Sequence, residues 1–247
     1  MTIHTDEELA ALRRVGRLVA EVLRAMEAAT RPGVTTAEID EVAGRLFAER
    51  GARSAPRLVY GFPGETCISV NDGVVHGIPG SEPLRAGDVV KLDVTAELGG
   101  YMADAARTVV VGGPGGLGTR LASCAKAAFR RGLSRARAGR LVREIGGAVE
   151  AEVRRHGFAV IRELSGHGIG RTIHEAPTVP NFFSSRDRQP LEEGMVLTIE
   201  PLIAAGSAGV VMDPDGWTVR TRDRSAAAHY EHTLVVTRGR PILLTAA

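Results

Sequence analysis

The chain has 247 residues, of which 44% are hydrophobic and 24% are charged, and its formal net charge at pH 7 is +2. This composition predicts a soluble globular protein that buries a sizeable core. The two cysteines give no disulfide framework, the charged N-terminus has no apolar signal core, and no apolar run approaches the ~20 residues of a membrane span. We therefore expect a cytoplasmic protein without membrane contact.

The first half of the chain predicts two helices followed by strands. Apolar residues at helical spacing predict a helix over residues 6–29, which the RPG sequence at 31–33 ends. Thr35 or Thr36 is expected to cap a second helix, which runs to Arg50 and ends at Gly51. Strand and turn sequence follows, in the order LVYGFP (58–63), CISV (67–70), a turn at 71–73, VVHGIP (74–79) and a hairpin that runs out through TVVV at 108–111.

The second half repeats this order of elements. After a predicted linker at 112–118, the pattern predicts a helix over about 119–136, then a second helix that runs to Arg155 and ends at Gly157, and then strands. When the halves are aligned, Glu38 falls on Glu144 and Gly51 on Gly157. We interpret residues 1–247 as one α+β domain with two pseudo-symmetric halves, 1–111 and 119–247, and a cleft between them.

Two other patterns carry weaker signals. Gly113, Gly115 and Gly118 spell GxGxxG, but no parallel βαβ series surrounds them, so we interpret them as part of the linker. An arginine-rich run at 129–144 lacks interleaved aromatic residues, and a solvated helix surface explains it. A weak contact with ribosomal RNA is the alternative for this run.

The hairpin carries an unusual pair of acidic residues. With a turn centred on Leu98-Gly99, Asp93 would lie directly opposite Asp104, and like charges at opposed positions repel. Aspartate is also a poor strand former that is rarely buried without a partner. The hairpin alone leaves two interpretations open: a solvated polar face, or a cation held between the two carboxylates.

Polar residues in the second half favour the cation. His167 lies in the glycine-flanked sequence GHGIG, and His174 follows in a segment rich in glycine and proline. Glu200 and Glu231 interrupt apolar strand sequence, in which glutamate is depleted, and Pro201 keeps Glu200 extended. The two histidines indicate rings that are positioned rather than packed, whereas each glutamate, taken alone, would most often be a surface residue.

Together these residues form an oxygen-rich donor set with one imidazole: Asp93, Asp104, His167, Glu200 and Glu231. Four converging carboxylates repel one another strongly, and two divalent ions would neutralise them. Carboxylate with imidazole suits Mn(II), Fe(II) or Co(II). Two such ions can share a bridging water and lower its pKa, which gives a hydroxide nucleophile at neutral pH.

Five motifs in combination resemble one family. SVNDGVVHGIP, KLDVTAELGGYMADAART, GHGIGRTIHEAPTVPN, TIEP and DGWTVRTRDRSAAAHYEHT are similar to the motifs of methionine aminopeptidases of the bacterial type I class. The resemblance covers nearly all of the chain. It implies the pita-bread (creatinase/aminopeptidase-like) fold, in which antiparallel sheet is enclosed by helices. It also implies removal of the N-terminal methionine from nascent proteins and peptides with a small second residue.

The resemblance implies a role for each predicted ligand. Asp93 and Asp104 would chelate two divalent ions, and Asp104 and Glu231 would bridge them. His167 and Glu200 would complete the shell of one ion, while the free α-amine of the substrate would bind the other. Glu200 would also be the general base that acts on the bridging water.

The resemblance further implies the residues that contact the substrate. His174 would hydrogen-bond the scissile carbonyl and its developing oxyanion, and His76 would contact the scissile amide. The methionine side chain would occupy a narrow apolar pocket formed by Phe62, Cys67 and Trp217, with Val59 at its edge.

Three positions depart from the family pattern. Ile173 replaces a common aromatic residue, which implies a wider pocket, and Ala176 replaces the second acid of the usual HEEP motif. His229 stands where the family often has glutamine. We expect none of the three to touch a ligand position. We also expect the chain to lack the N-terminal extension that some relatives use for docking.

Two alternatives are kept. An Xaa-Pro aminopeptidase or dipeptidase would share the five ligands, but such enzymes usually carry an additional N-terminal domain, for which this chain has no room. A non-enzymatic relative that binds nucleic acid or protein would typically have lost ligands that are present here. We expect a monomer that acts on peptide and nascent-chain substrates, with no specific nucleic-acid ligand and with a transient ribosome contact left open.

Overall fold

The computed structural model describes residues 1–246 of the chain. Its helices in that range are α1 (Asp6–Ala29), α2 (Thr36–Arg50), α3 (Ala55–Tyr60), α4 (Gly116–Leu133) and α5 (Val142–Arg155). Its strands are β1 (Arg53–Ser54), β2 (Cys67–Val70), β3 (Gly73–Val75), β4 (Val89–Leu98), β5 (Tyr101–Val110), β6 (Ala159–Val160), β7 (Ser165–Gly168), β8 (Glu175–Pro180), β9 (Val196–Ile199), β10 (Leu202–Ala204), β11 (Val210–Met212), β12 (Val219–Thr221), β13 (Ala227–His229), β14 (His232–Val235) and β15 (Ile242–Leu243). The pairing between strands is antiparallel, which confirms the predicted α+β class. No helix within residues 1–246 is both long and apolar enough to cross a membrane.

The second helices of the two halves begin in a similar way. At the start of α2, Thr35 and Glu38 form a capping box, and Gly51 with a φ of +64° ends the helix. At the start of α5, the carboxylate of Glu144 accepts a hydrogen bond of 3.0 Å from the N–H of Leu141. These similar helix starts are consistent with the predicted internal repeat, which stays a prediction.

Residues 58–60 form the end of α3, so the predicted strand at LVYGFP is wrong. Ser54 caps this helix by accepting a hydrogen bond of 3.3 Å from the N–H of Arg57, and Pro56 occupies its first turn. Gly61, which has a φ of +71°, ends the helix after six residues. The cap, the N-terminal proline and the glycine together outweigh the β-branched and aromatic residues of the segment.

Helix α4 begins at Gly116, inside the segment predicted to be a linker, and it ends at Leu133 rather than near residue 136. Gly118 is a buried residue of α4. A Cβ at this position would lie only 2.7 Å from the side chain of Val89 and 3.1 Å from that of Val110. The last glycine of the GxGxxG pattern therefore serves the close packing of α4 on the hairpin.

The strands form four sheets, two of which carry most of the predicted site. In the first, β4 pairs with β5 on one edge and with both β1 and β2 on the other. The largest sheet has the order β15-β14-β9-β7-β8. Helix α1 packs on the hairpin and α4 packs on α5, which gives each half its own apolar core. The sheet β11-β12-β3 joins a strand of the first half to two of the second.

The turn of the β4–β5 hairpin is Gly99-Gly100 and not Leu98-Gly99 as predicted. The φ angles of the two glycines are +63° and +82°. A two-residue type I′ turn requires positive φ at both central positions, which glycine adopts without a steric penalty. Leu98 therefore stays in β4, and the register of the whole hairpin shifts.

With this register the predicted direct opposition of Asp93 and Asp104 is wrong. Asp93 lies opposite Ala106, and Asp104 lies opposite Thr95. The two carboxylates are diagonal neighbours on one face of the hairpin, where side chains are still close enough to share a ligand.

The two halves meet along the second edge of β5. Ala106 and Glu231 exchange backbone hydrogen bonds of 2.9 and 3.3 Å. The Thr233 hydroxyl accepts a hydrogen bond from the N–H of Asp104 and donates one to the carbonyl oxygen of Asp104, both at 2.8 Å. This ladder brings the acidic hairpin of the first half next to the acidic strand of the second.

Candidate metal centre and active site

The five residues predicted as metal ligands line one cleft of about 520 Å³. Asp93 and Asp104 come from the hairpin and His167 from β7, while Glu200 directly follows β9 and Glu231 directly precedes β14. One possible ligand atom from each of Asp104, His167 and Glu231 lies within 4.8 Å of the other two. The fold thus brings together residues that are up to 138 positions apart in the numbering, from Asp93 to Glu231.

Close backbone packing positions His167. A Cβ on Gly166 would lie 2.6 Å from the carbonyl oxygen of Thr198, and one on Gly168 would be still closer to that of Ala176. The two glycines therefore allow β7 to sit between its neighbours. The ring nitrogen Nδ1 of His167 lies 2.9 Å from the carbonyl oxygen of Gly168.

This contact places the ring proton on Nδ1, because a carbonyl oxygen can only accept a hydrogen bond. The other nitrogen, Nε2, then keeps its lone pair and faces Oε1 of Glu200 at 3.6 Å. The hydrogen bond at Nδ1 fixes the tautomer and the orientation of the ring, so that Nε2 can bind a metal ion.

Glu200 and Glu231 occupy opposed positions between two pairs of strands. Ile199 pairs with His232 at the end of β9, and Leu202 pairs with His229 at the start of β10. The register is the same on both sides of the break, so Glu200 lies opposite Glu231. Like charges at opposed positions destabilise a sheet. At Glu200 and Glu231 the chain passes from one sheet to another, because β9 and β14 belong to the largest sheet and β10 and β13 to a different one.

Burial and mutual repulsion perturb the carboxyl groups. Desolvation, followed by the nearby Asp104, raises the pKa of Asp93 well above its usual range. Desolvation, followed by the charges of Glu231 and Glu200, does the same to the pKa of Asp104. The pKa of Glu231 is raised by burial and by Glu200. Oδ1 of Asp104 and Oε1 of Glu231 are buried without a hydrogen-bond partner in the described part of the chain.

These features fit divalent cations. Carboxylate oxygens without donors are costly to bury, and a cation satisfies them and offsets their repulsion. Carboxylates with one prepared imidazole nitrogen form a ligand set typical of Mn(II), Fe(II) and Co(II), whereas both cysteines are free and a thiolate cage is not formed.

His76 and His174 line the same cleft. His76 has a φ of +57°, a conformation that non-glycine residues seldom adopt, and burial lowers its pKa. Burial in the cleft lowers the pKa of His174 to about 4, and the imidazole of His167 contributes to this shift. The ring centroids of the two histidines are 4.3 Å apart. Both rings are therefore neutral at pH 7, and each can donate one N–H group.

Tyr60 is a site residue that the sequence did not single out. Its hydroxyl oxygen lies 2.6 Å from Nδ1 of His174. Because Nδ1 is engaged by Tyr60, Nε2 is the nitrogen of His174 that is free to face the cleft. The helix that carries Tyr60 has only six residues, too few for an apolar periodicity to reveal it.

A second cavity of about 270 Å³ adjoins the metal site. Phe62, Cys67 and Trp217, the residues expected to form the methionine pocket, line this cavity, and the rings of Phe62 and Trp217 meet edge to face with centroids 5.2 Å apart. Val59 is 38% exposed and is not among the lining residues, whereas Tyr60 is. The residues common to this cavity and the polar cleft are His76, Asp93, Asp104 and His174.

The three departures from the family pattern lie in different places. Ile173 lines the apolar cavity and Ala176 the polar cleft. His229 is buried, and its Nε2 lies 3.5 Å from Oε2 of Glu200 and 3.4 Å from Oε2 of Glu231. The expectation that no departure touches a predicted ligand is therefore wrong for His229. The contact arises from the pairing of β10 with β13, which the sequence did not specify.

A buried carboxylate–imidazole centre at the junction of a polar cleft and an apolar cavity defines the class of metal-dependent hydrolases. A sequence profile described as metallopeptidase family M24 matches residues 10–238. The chain belongs to this family.

The chain is similar over its full length to proteins that are named methionine aminopeptidases. The chain is 43% identical to "Methionine aminopeptidase 2" of Bacillus subtilis (strain 168), an alignment that covers 99% of each protein. The solved structure of a methionine aminopeptidase from Rickettsia prowazekii has a TM-score of 0.95 and 36% identity, with complete coverage of both chains. The prolidase from Pyrococcus furiosus, at 23% identity and a TM-score of 0.80 over 66% of its length, shares the fold alone. The expected pita-bread fold is thereby confirmed.

Proposed function

We propose that this protein removes the N-terminal methionine from peptides and nascent proteins whose second residue is small. The 43% identity to a methionine aminopeptidase over nearly the entire chain supports this reaction. The structural observation that carries it is the boundary between the two cavities, where two of the four carboxylates and both His76 and His174 face the apolar cavity and the polar cleft at once.

This boundary suits an exopeptidase. The enzyme must hold the first side chain of the substrate on one side of the reacting bond and the rest of the polypeptide on the other. The apolar cavity accepts the side chain, the cleft accepts the polypeptide, and the first peptide bond falls between them. Methionine suits the cavity because its flexible thioether packs in irregular apolar spaces and makes favourable contacts with rings such as Phe62 and Trp217.

The five converging residues would hold two divalent ions, Fe(II), Mn(II) or Co(II). Asp93 and Asp104 would hold the ions from the hairpin, Glu231 would hold them together with Asp104, and His167 and Glu200 would complete the ligand set. When bound, such ions supply Lewis acidity, which lowers the pKa of water and polarises the scissile carbonyl.

The protein's own groups move the protons and orient the substrate. The Glu200 carboxylate accepts the proton of the attacking water, as a general base must do from within hydrogen-bond reach. His174 donates from Nε2 to the carbonyl oxygen as negative charge develops on it, a contribution of roughly 10²–10³ in rate at comparable sites. His76 contacts the scissile amide and aligns it.

The alternative functions have less support. An Xaa-Pro peptidase would use the same ligands, but the relatives of that kind have identities near 23% and contribute evidence about the fold alone. A non-enzymatic binding protein would not require the convergence of four carboxylates with a prepared imidazole. A monomeric state and a transient ribosome contact stay predictions.

The substrate is tested by comparing three peptides with the Mn(II)-loaded enzyme. We expect Met-Ala-Ser to be hydrolysed much faster than Met-Leu-Ser, which has a large second residue, and faster than Ala-Pro-Ser. A clear preference for Ala-Pro-Ser would contradict the assignment and indicate an Xaa-Pro aminopeptidase.

A further inference from the structure

His229 is a buried imidazole to which the proposed mechanism assigns no task. Its side chain is 1% exposed, and neither ring nitrogen has a hydrogen-bond partner in the described part of the chain. Buried polar groups in native proteins almost always have a partner. Nε2 lies 3.5 Å from Oε2 of Glu200 and 3.4 Å from Oε2 of Glu231.

The two carboxylate oxygens of Glu200 face two different imidazoles. Oε1 lies 3.6 Å from Nε2 of His167, and Oε2 lies 3.5 Å from Nε2 of His229. His167 presents a lone pair, so the side of Glu200 that carries Oε1 is the side on which an ion would be shared. Oε2 is the oxygen left over, and His229 is the group placed to hold it.

The ring of His229 presents a proton rather than a lone pair to these oxygens. Nδ1 has no acceptor within hydrogen-bond distance, so a neutral ring keeps its single proton on Nε2, where two acceptors lie. A doubly protonated ring also carries a proton on Nε2. Ligand atoms of Glu200, His229 and Glu231 lie within 4.8 Å of one another, but in either protonation state Nε2 of His229 is a hydrogen-bond donor, in contrast to Nε2 of His167.

The backbone of His229 is fixed to the strand that carries Asp104. The Thr108 hydroxyl accepts a hydrogen bond of 2.9 Å from the N–H of His229 and donates one of 2.8 Å to its carbonyl oxygen. The backbone of His229 is thus fixed to β5, and its ring extends toward Glu200 and Glu231. A few tenths of an ångström of movement would bring Nε2 to an ordinary hydrogen-bond distance of roughly 2.7–3.2 Å.

We propose that His229 is a positioning residue of the metal centre, in which its Nε2–H group donates to Glu200 and Glu231 and fixes both carboxylates in the orientation that binds divalent ions. Such outer partners orient ligands and raise metal affinity. This inference rests on the metal site of the proposed function and does not depend on the substrate.

Metal titration of matched variants tests the proposal. Mn(II) binding to the metal-free protein is measured by calorimetry for wild type, His229→Gln and His229→Leu, with His4→Gln and His4→Leu as controls at an exposed histidine. We expect His229→Leu to weaken Mn(II) binding by roughly 10–100-fold, in line with the loss of other outer partners. His229→Gln keeps an N–H donor and should stay within a fewfold of wild type.

Two outcomes would overturn the proposal. Wild-type affinity in His229→Leu would show that the ring does not act on the ligands. Equal losses in His229→Gln and His229→Leu would show that the imidazole itself is needed, as for a direct ligand.

A second measurement uses the wild-type protein and so does not depend on whether His229→Leu folds. In ¹⁵N-histidine-labelled, Zn(II)-loaded protein, the His229 resonances are identified by their loss in His229→Gln. We expect a proton on Nε2, and an unprotonated, metal-bound Nε2 would refute the positioning role. If the titrations follow the expected pattern while Met-Ala-Ser is not hydrolysed, the proposed function fails and the role of His229 stands.

Discussion

The phenolic oxygen of Tyr60 lies 2.6 Å from Nδ1 of His174, and this contact joins the wall of the apolar cavity to the imidazole that we propose faces the scissile bond. The two residues are far apart in the chain and belong to different halves of the fold. Since His174 is neutral at pH 7, a hydroxyl that donates to Nδ1 leaves the single ring proton on Nε2. Tyr60 therefore selects the tautomer in which His174 can donate to the substrate.

Replacement of Tyr60 by phenylalanine tests this relationship. Tyr60→Phe keeps the ring in the cavity wall and removes only the hydroxyl, so we expect KM for Met-Ala-Ser to change little. We expect kcat to fall by roughly fivefold, because a neutral hydrogen bond contributes about 1 kcal/mol. Leu58→Ala, at an exposed position of the same helix, is the control. An unchanged kcat in Tyr60→Phe would show that Tyr60 does not select the tautomer.

Removal of the His174 imidazole should separate catalysis from metal binding. His174 is not among the predicted ligands, so His174→Ala is expected to bind Mn(II) like the wild type. Its kcat should fall by roughly 10²–10³, the usual cost of a lost oxyanion donor. Steady-state kinetics with metal analysis of the same sample makes the comparison. Turnover at the wild-type rate with normal metal content would rule out the proposed donation by His174.

The wall of the apolar cavity should control affinity for methionine. Trp217→Ala removes the partner of Phe62 in the edge-to-face pair and opens the cavity. We expect KM for Met-Ala-Ser to rise about tenfold or more, from the loss of apolar contact area. Phe183→Ala, at an exposed aromatic residue, should leave KM unchanged. If both variants bind the peptide like the wild type, the first side chain of the substrate does not occupy this cavity.

The thiol of Cys124 should make stability depend on alkaline pH. Burial in the core of the second half raises its pKa from 9.0 to about 11. Between these values the folded state binds more protons than the unfolded state, so the free energy of unfolding falls as pH rises from about 9 to 11. Cys124→Ala should show a smaller fall over this interval. Denaturant titrations of both proteins at pH 9 and pH 11 measure the difference, and equal falls would contradict the assignment.

Much of the fold and the site follows from local sequence. Thr35, Glu38 and Gly51 specify the ends of a helix within a few residues, because capping depends only on neighbours along the chain. The five acidic and imidazole residues were identifiable because carboxylates are unusual in apolar strand sequence, and the family motifs placed them together.

The pairing between strands was harder to predict from the sequence than the ends of helices. Both Leu98-Gly99 and Gly99-Gly100 are plausible hairpin turns from composition, and a shift of one position changes every cross-strand pair. Because the turn is Gly99-Gly100, Asp93 and Asp104 are not directly opposed. The separate pairing of β9 with β14 and of β10 with β13 places Glu200 opposite Glu231. The contact of His229 with these glutamates depends on the same long-range pairing, which no local pattern encodes.

Metal dependence of methionine release is the most direct test of the proposed function. The protein is exhaustively chelated, its metal content is measured, and hydrolysis of Met-Ala-Ser is followed as Mn(II), Fe(II) or Co(II) is added. We expect no hydrolysis by the metal-free protein and recovery that is complete near two ions per chain, because two divalent ions neutralise the four converging carboxylates. Hydrolysis that persists unchanged after exhaustive chelation would contradict the metal-dependent mechanism.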